Sequence, residues 1–270
     1  MNTFILHLAF EIRAGFRNKQ LLMMNLLFPL GFYLLMGFVL AEINPIFRED
    51  MIPAMIIFST LAATLLGIPL YLTTGRENGI FRSYKIYGAP ASSILVISAL
   101  TTVFHSLITA TVITISAPFL FDALLPENWL NFFLVFLVII MCYASISVLI
   151  GVVSSSSRES ILWSQLIFVT SILLGGIMLP NQMLPEVLGS LSKLLPATHA
   201  MNAFNSLAFG KAVVFYPWGS MIVLLAGSLF AFFLAVFLFR WDQHSPTLRG
   251  HPTMGILAVL PFAVSIFLFS

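Results

Sequence analysis

The chain has 270 residues, of which 60% are hydrophobic and 8% charged, with 27 Phe and a mean hydropathy of +1.04. No water-soluble domain of this size hides so much apolar surface, so its solvent is a bilayer. The net charge of +2 is small and no nucleic-acid partner is expected, while a single cysteine, Cys142, excludes an internal disulfide framework and fits a cytoplasmic membrane.

Residues 1–19 do not read as a secretory signal, because the charges follow the short apolar stretch and no small-residue cleavage site appears. Ile5, Leu8, Ile12 and Phe16 recur at helical spacing with Arg13 and Arg17 beside them. That pattern predicts an amphipathic helix lying along the inner membrane surface. At roughly 20 apolar residues per crossing, spans are expected at 20–41, 51–72, 92–119, 129–154, 161–180 and 217–239. A seventh apolar segment, 254–269, is shorter and contains Pro261; it reads equally as a span, a re-entrant piece or an interfacial one. The expected fold is therefore an all-α polytopic bundle. Its parts are the interfacial helix 1–19, a six-span domain 20–240, and a loop with the extra apolar segment over 241–270.

The Lys/Arg distribution sets the orientation. With the N-terminus inside, the cytoplasmic side holds Arg13, Arg17, Lys19, Arg76, Arg82, Lys85, Arg158, Arg240 and Arg249, nine residues against Arg48, Lys193 and Lys211 outside.

The six spans contain no Asp, Glu, Lys or Arg, and the one ionisable group deep in a span is His105. A carrier driven by protons or sodium binds its driving ion near the midplane and needs such groups there. ATP hydrolysis has no seat either, since Gly210–Lys211 lacks both the earlier glycine and the following Ser/Thr of a phosphate loop. Asp242, His244 and His251 match no metal-ligand spacing and read as a solvated loop. Ser154–Ser160, SSSSRES, reads as a polar turn whose serines cap helix ends.

The conspicuous exception to this oiliness is TTGRENGIFRSYKIYGAP, residues 73–90. Its helix-compatible core, Arg76 to Tyr87, starts among Gly75 and Gly79 and is stopped by Gly88–Ala89–Pro90. Phe81, Tyr84 and Ile86 alternate with Arg82 and Lys85, a mixture suited either to a partner's groove or to a headgroup anchor.

With Arg76, Glu77, Gly79, Arg82 and Tyr84 in this connector, an amphipathic entry helix and six spans, the chain resembles the permease subunit of the type-two ATP-binding-cassette exporters. A second stretch supports the likeness: 175–210 is broken by Pro180, Pro185 and Pro196 and carries Leu184, Leu188, Leu191 and Leu195 at heptad-like spacing. The resemblance covers about residues 1–240 and implies several things. The connector, through Arg76, Glu77, Gly79, Phe81, Arg82, Tyr84 and Lys85, would dock on a separate cytoplasmic ATPase. Short extracellular helices over 181–210 would use Pro180, Pro185, Leu188, Leu191 and Pro196. ATP and Mg would be bound by the ATPase and no cofactor by this chain, which would not itself be an enzyme. A second permease copy or homologue would complete a path for a hydrophobic drug, lipid or peptide, lined by Phe28, Phe58, Phe168 and His105, in a multi-pass inner-membrane exporter. The residues alone leave two other classes open: a carrier or channel working without ATP, and a non-transporting assembly or immunity protein.

Overall fold

A computed structural model describes residues 3–43, 45–88, 90–179, 183–213, 215–242 and 250–268. The elements are α1 (Thr3–Arg17), α2 (Lys19–Leu22), a π turn (Met23–Leu27), α3 (Phe28–Ile43), α4 (Pro45–Glu77), α5 (Ile80–Ile86) and α6 (Ala91–Phe121). After them come α7 (Trp129–Val153), α8 (Ser157–Leu174), α9 (Glu186–Ser192), α10 (Pro196–Ala203), a second π turn (Phe204–Ala208) and α11 (Pro217–Leu238). A 3₁₀ helix (Pro252–Val259) and α12 (Leu260–Leu268) close the chain, and no strand occurs among the described residues.

The stretch expected to form an amphipathic helix folds as α1. It stops at Arg17 because Asn18 accepts a hydrogen bond from Leu21 N through Oδ1 (3.3 Å), so the chain restarts there as α2. Among the described residues five helices are long and apolar enough to cross a membrane: Met23–Leu40, Phe47–Glu77, Ala91–Phe121, Trp129–Val153 and Pro217–Leu238. The span expected at 161–180 differs. It is the 18-residue α8, which begins with Arg158 and Glu159 in its first turns and ends at Leu174. Gly175 explains the early stop. A Cβ there would lie 2.4 Å from that of Ala197, so a glycine lets α10 abut the end of α8.

The axis of the bundle is α4, in which every residue from Met51 to Leu65 is buried. Burying Ser59, Thr60 and Thr64 costs little, because their hydroxyls donate back to carbonyls of the same helix, Ile56 for the first two (2.9 and 2.8 Å) and Thr60 for the third (2.7 Å). Ala54, Ala62 and Ala63 keep the surface slim enough for neighbouring helices to close in. Thr73 and Thr74 bond back in the same way to Pro69 and Leu70 (2.9 and 2.7 Å), which carries α4 past the expected end at 72. Around α4 pack α3, α6, α7 and α8, with α11 outside α7 and joined to it by Ser145 Oγ and Ser228 Oγ at 3.1 Å.

The seventh segment packs along α11 and α7. A Cβ on Gly255 would sit 3.2 Å from Val153 Cγ1, at the C-terminal end of α7. Ten residues on, Ser265 Oγ lies 3.1 Å from His199 Nε2 in α10, which packs at the opposite end of the bundle. Between those two contacts the segment rises about 17 Å, roughly half the length of the 22-residue α11. It does so with few residues because a 3₁₀ helix rises about 2.0 Å per residue against about 1.5 Å in an α-helix.

Candidate functional site

The charged connector folds as an elbow. α4 ends at Glu77, Gly79 takes the left-handed conformation (φ 69°) that a side chain would strain, and α5 turns away from it. The expected helix core from Arg76 to Tyr87 is thus split. Arg76 and Glu77 belong to α4, and only 80–86 form the short helix.

Those two residues serve opposite helix ends. The Arg76 guanidinium, 5% exposed, donates from Nη1 to the Val152 carbonyl (2.9 Å) and from Nη2 to the Ser154 carbonyl, at the C-terminus of α7. There a helix has unpaired carbonyls and a partial negative charge, which a cation satisfies. The Glu77 carboxylate accepts from Ser157 N (2.7 Å) and from Ser157 Oγ, at the N-terminus of α8, where amides are unpaired and an anion is favoured. The α7–α8 turn is itself braced. Ser156 Oγ accepts from Glu159 N (3.2 Å), and the Glu159 carboxylate accepts from Ser155 N (2.7 Å) and Ser155 Oγ, close to a capping box. These hydrogen bonds hold the Glu159 carboxyl below its usual range. The serine-rich turn caps α8 as its sequence suggests.

α5 has two faces. Phe81 points inward, 1% exposed, with its ring against the backbone of Gly75 and 5.9 Å from that of Phe239. Tyr84 is half-buried, edge-on to His7 of α1 at 5.2 Å. Outward lie Ile80, Arg82, Ser83, Lys85, Ile86 and Tyr87, the last two 77% and 86% exposed. An isoleucine and a tyrosine so bare beside two cations make an apolar-and-basic surface patch. Composition alone gave equal weight to Phe81 and Ile86; their spacing around α5 sends one inward and one outward.

The other expected site residues fall in two places. Phe28, Phe58 and Phe168 come together, with ring centroids 5.7 Å (Phe28–Phe58), 5.6 Å (Phe58–Phe168) and 6.4 Å (Phe28–Phe168), and Phe32 stacks on Phe58 at 3.9 Å. The cluster joins α3, α4 and α8. His105 makes no ring contact with it. It is buried on α6, tilted against Phe16 of α1 (4.9 Å), with Nδ1 2.7 Å from the Thr101 carbonyl.

At the far end, Pro185 precedes α9 and Pro196 is its neighbour helix's first residue, buried at the start of α10. Pro180 lies outside the described residues, as does His244 of the 242–251 loop. The leucine stripe is not core: Leu188 and Leu191 are exposed, as is Val187. α10 is the buried partner, tied by Asn202 Nδ2 to the Phe215 carbonyl (2.9 Å) and Ser220 Oγ (3.0 Å).

A sequence model of the family described as ABC-2 type transporter matches residues 3–209. The chain is also 25% identical over 195 residues to ABC transporter G family member 20 of Dictyostelium discoideum. That match takes in 72% of this chain and 27% of the relative, so the chain spans little more than a quarter of that protein's length.

Proposed function

The chain belongs to the ABC-2 type transporter family, and on that premise we propose that it is the permease subunit of an ATP-driven exporter whose separate ATPase docks on α5. As the transmembrane part of an ABC transporter it carries no catalytic centre of its own. ATP and Mg are bound by the ATPase, which sits on the basic end of the bundle, so that end and the N-terminus face the cytoplasm of an inner membrane.

The observation that carries this reading is the two-faced α5. Its outward patch of Ile86, Tyr87, Arg82 and Lys85 is free for a partner, while its root is fastened to three long helices. A push on the patch reaches α4 through Phe81 and Gly75, and α7 and α8 through Arg76 and Glu77. ATP-driven approach of two ATPases moves the two elbows together and shifts each bundle between inward- and outward-open arrangements, because the ATPase binds one arrangement better than the other. A second copy or homologue completes the path. The aromatic cluster of Phe28, Phe32, Phe58 and Phe168 on α3, α4 and α8 supports a hydrophobic or amphipathic cargo, and the exposed apolar face of α9 supports a helix dipping into the outer leaflet.

The test is capture of cytoplasmic ATPases by the purified chain, comparing wild type with a surface variant, Arg82→Glu/Ile86→Ala/Tyr87→Ala. The expected result is at least a tenfold loss of captured ATPase at unchanged melting temperature. Equal capture by both proteins would remove α5 as the docking surface.

A further inference from the structure

A second polar site lies inside the bundle, between α1, the first π turn, α4 and α6. It is a cavity of about 30 Å³, the volume of one water. Two side chains in its wall carry polar atoms without a partner: Asn25 Oδ1, on a residue 3% exposed, and His105 Nε2, on a residue 1% exposed.

Both atoms are acceptors. Thr101 O can only accept, so His105 Nδ1, 2.7 Å away, carries the ring hydrogen and leaves a bare lone pair at Nε2 in the neutral imidazole. The hydroxyls in the same wall spend their hydrogens elsewhere, Thr101 on the Ile97 carbonyl (2.9 Å) and Thr102 on that of Ser98 (3.1 Å). They too offer only lone pairs. At the half-buried mouth stands the Glu11 carboxylate, which accepts from Tyr71 Oη (3.1 Å) and has His7 Nε2 3.5 Å away. No Lys or Arg lines the cavity among the described residues. Gly67 keeps the α4 side of the wall thin, since a Cβ there would lie 3.5 Å from Asn25 Oδ1; Gly15 lets α1 close on the His105 ring, where a Cβ would come 2.8 Å from Cε1.

Beside the Asn25 Nδ2 donor, two orphaned acceptors and a carboxylate at the mouth call for a compact, positively charged donor. We propose that this cavity is a binding site for a primary ammonium group, whose three N–H bonds meet Asn25 Oδ1, His105 Nε2 and the Glu11 carboxylate. Charge-assisted bonds of this kind are the strong ones, and two orphaned acceptors gain partners. A trimethylammonium has no N–H to give and does not fit 30 Å³. The group reaches the site either on an ethanolamine lipid headgroup or as a soluble amine. This site is independent of the exporter reading, since binding needs no ATPase.

The experiment uses the intact chain in nanodiscs of phosphatidylethanolamine or phosphatidylcholine with identical acyl chains, and in the phosphatidylcholine discs with millimolar ethanolamine added. A bound ammonium raises the melting temperature by about 5 °C. A rise with the ethanolamine lipid alone assigns the headgroup; a rise with free ethanolamine as well shows that the amine suffices. Either rise disappears in Asn25→Leu and Glu11→Gln. Because those variants could misfold, solid-state NMR on wild type supplies a second reading: labelled ethanolamine carbons in contact with the His105 ring nitrogen. Equal melting in all three discs, with His105 in contact only with water protons, overturns the proposal and leaves the cavity to a water.

Discussion

The two ends of the bundle solve the problem of unpaired helix termini with different chemistry. At the α5 end, full charges do it: Arg76 on the carbonyls closing α7, Glu77 and Glu159 on the amides opening α8. At the α10 end the work falls mostly to neutral groups. Asn131 Nδ2 donates to the Leu207 carbonyl (3.0 Å), Thr198 Oγ1 to that of Ser192 (2.6 Å), and Asn202 to Phe215 and Ser220. The charged group there, Lys211, pairs with Asp50 at 2.7 Å and Glu49 at 3.6 Å and is partly exposed. Charge-assisted bonds to backbone are shorter and stronger, so the α5 end is a stiff joint; the α10 end is a closely packed plug. A joint suits an element that must pass on movement, and a plug suits one that must stay shut until moved.

Breaking the joint should show the largest effect. Arg76→Leu leaves two carbonyls at the end of α7 without a donor and should lower stability by about 4 kcal/mol. Arg76→Lys should recover only part, since an ammonium lacks the two-pronged reach. Thermal unfolding of the purified proteins measures both, and a loss below 1 kcal/mol would disprove the joint.

The plug has a pH limit of its own. Burial pushes the His199 imidazole down to about 4 from its ordinary 6.5. Between those values the unfolded chain takes up a proton that the folded chain refuses. The corresponding stability is whole above pH 6.5 and lost as pH falls towards 4, at most about 3 kcal/mol. His199→Gln should flatten that part of the melting-temperature profile relative to wild type; parallel profiles would remove His199 from the account.

A smaller effect separates the two faces of α5. Ile86→Ala with Tyr87→Ala should weaken ATPase binding by about 2 kcal/mol while stability moves by less than about 0.5 kcal/mol. Phe81→Ala should do the reverse to stability, costing about 3 kcal/mol. Calorimetric binding set beside melting curves sorts them. The smallest change is expected for Glu77→Gln, about 0.5 kcal/mol, because the carboxylate is exposed and water screens it.

Much of this is legible in the residues. Uninterrupted apolar runs and the proline and glycine breaks give the helical bundle, and SSSSRES announces its own cap. What the residues hide is which helix is central. Ser59, Thr60 and Thr64 lower the apparent apolarity of α4, yet they are the reason it packs innermost, because back-bonded hydroxyls need no partner. Arg76 and Glu77 are equally deceptive. Adjacent opposite charges at a span's end look like a surface, yet the carbonyls closing α7 draw the Arg76 guanidinium inward while Glu77 stays exposed. The vacant acceptors of Asn25 and His105 were beyond reach altogether, since they arise where a π turn meets a helix 84 residues later, at the bond from Thr109 Oγ1 to the Asn25 carbonyl (2.9 Å).

The 3₁₀ stretch Pro252–Val259 has a consequence of its own. Eight residues wound as an α-helix would be about 4 Å shorter. The segment is in effect a drawn spring pinned at Gly255 and at Ser265, and any thinning of the bilayer that relaxed it would first slacken the tether on His199.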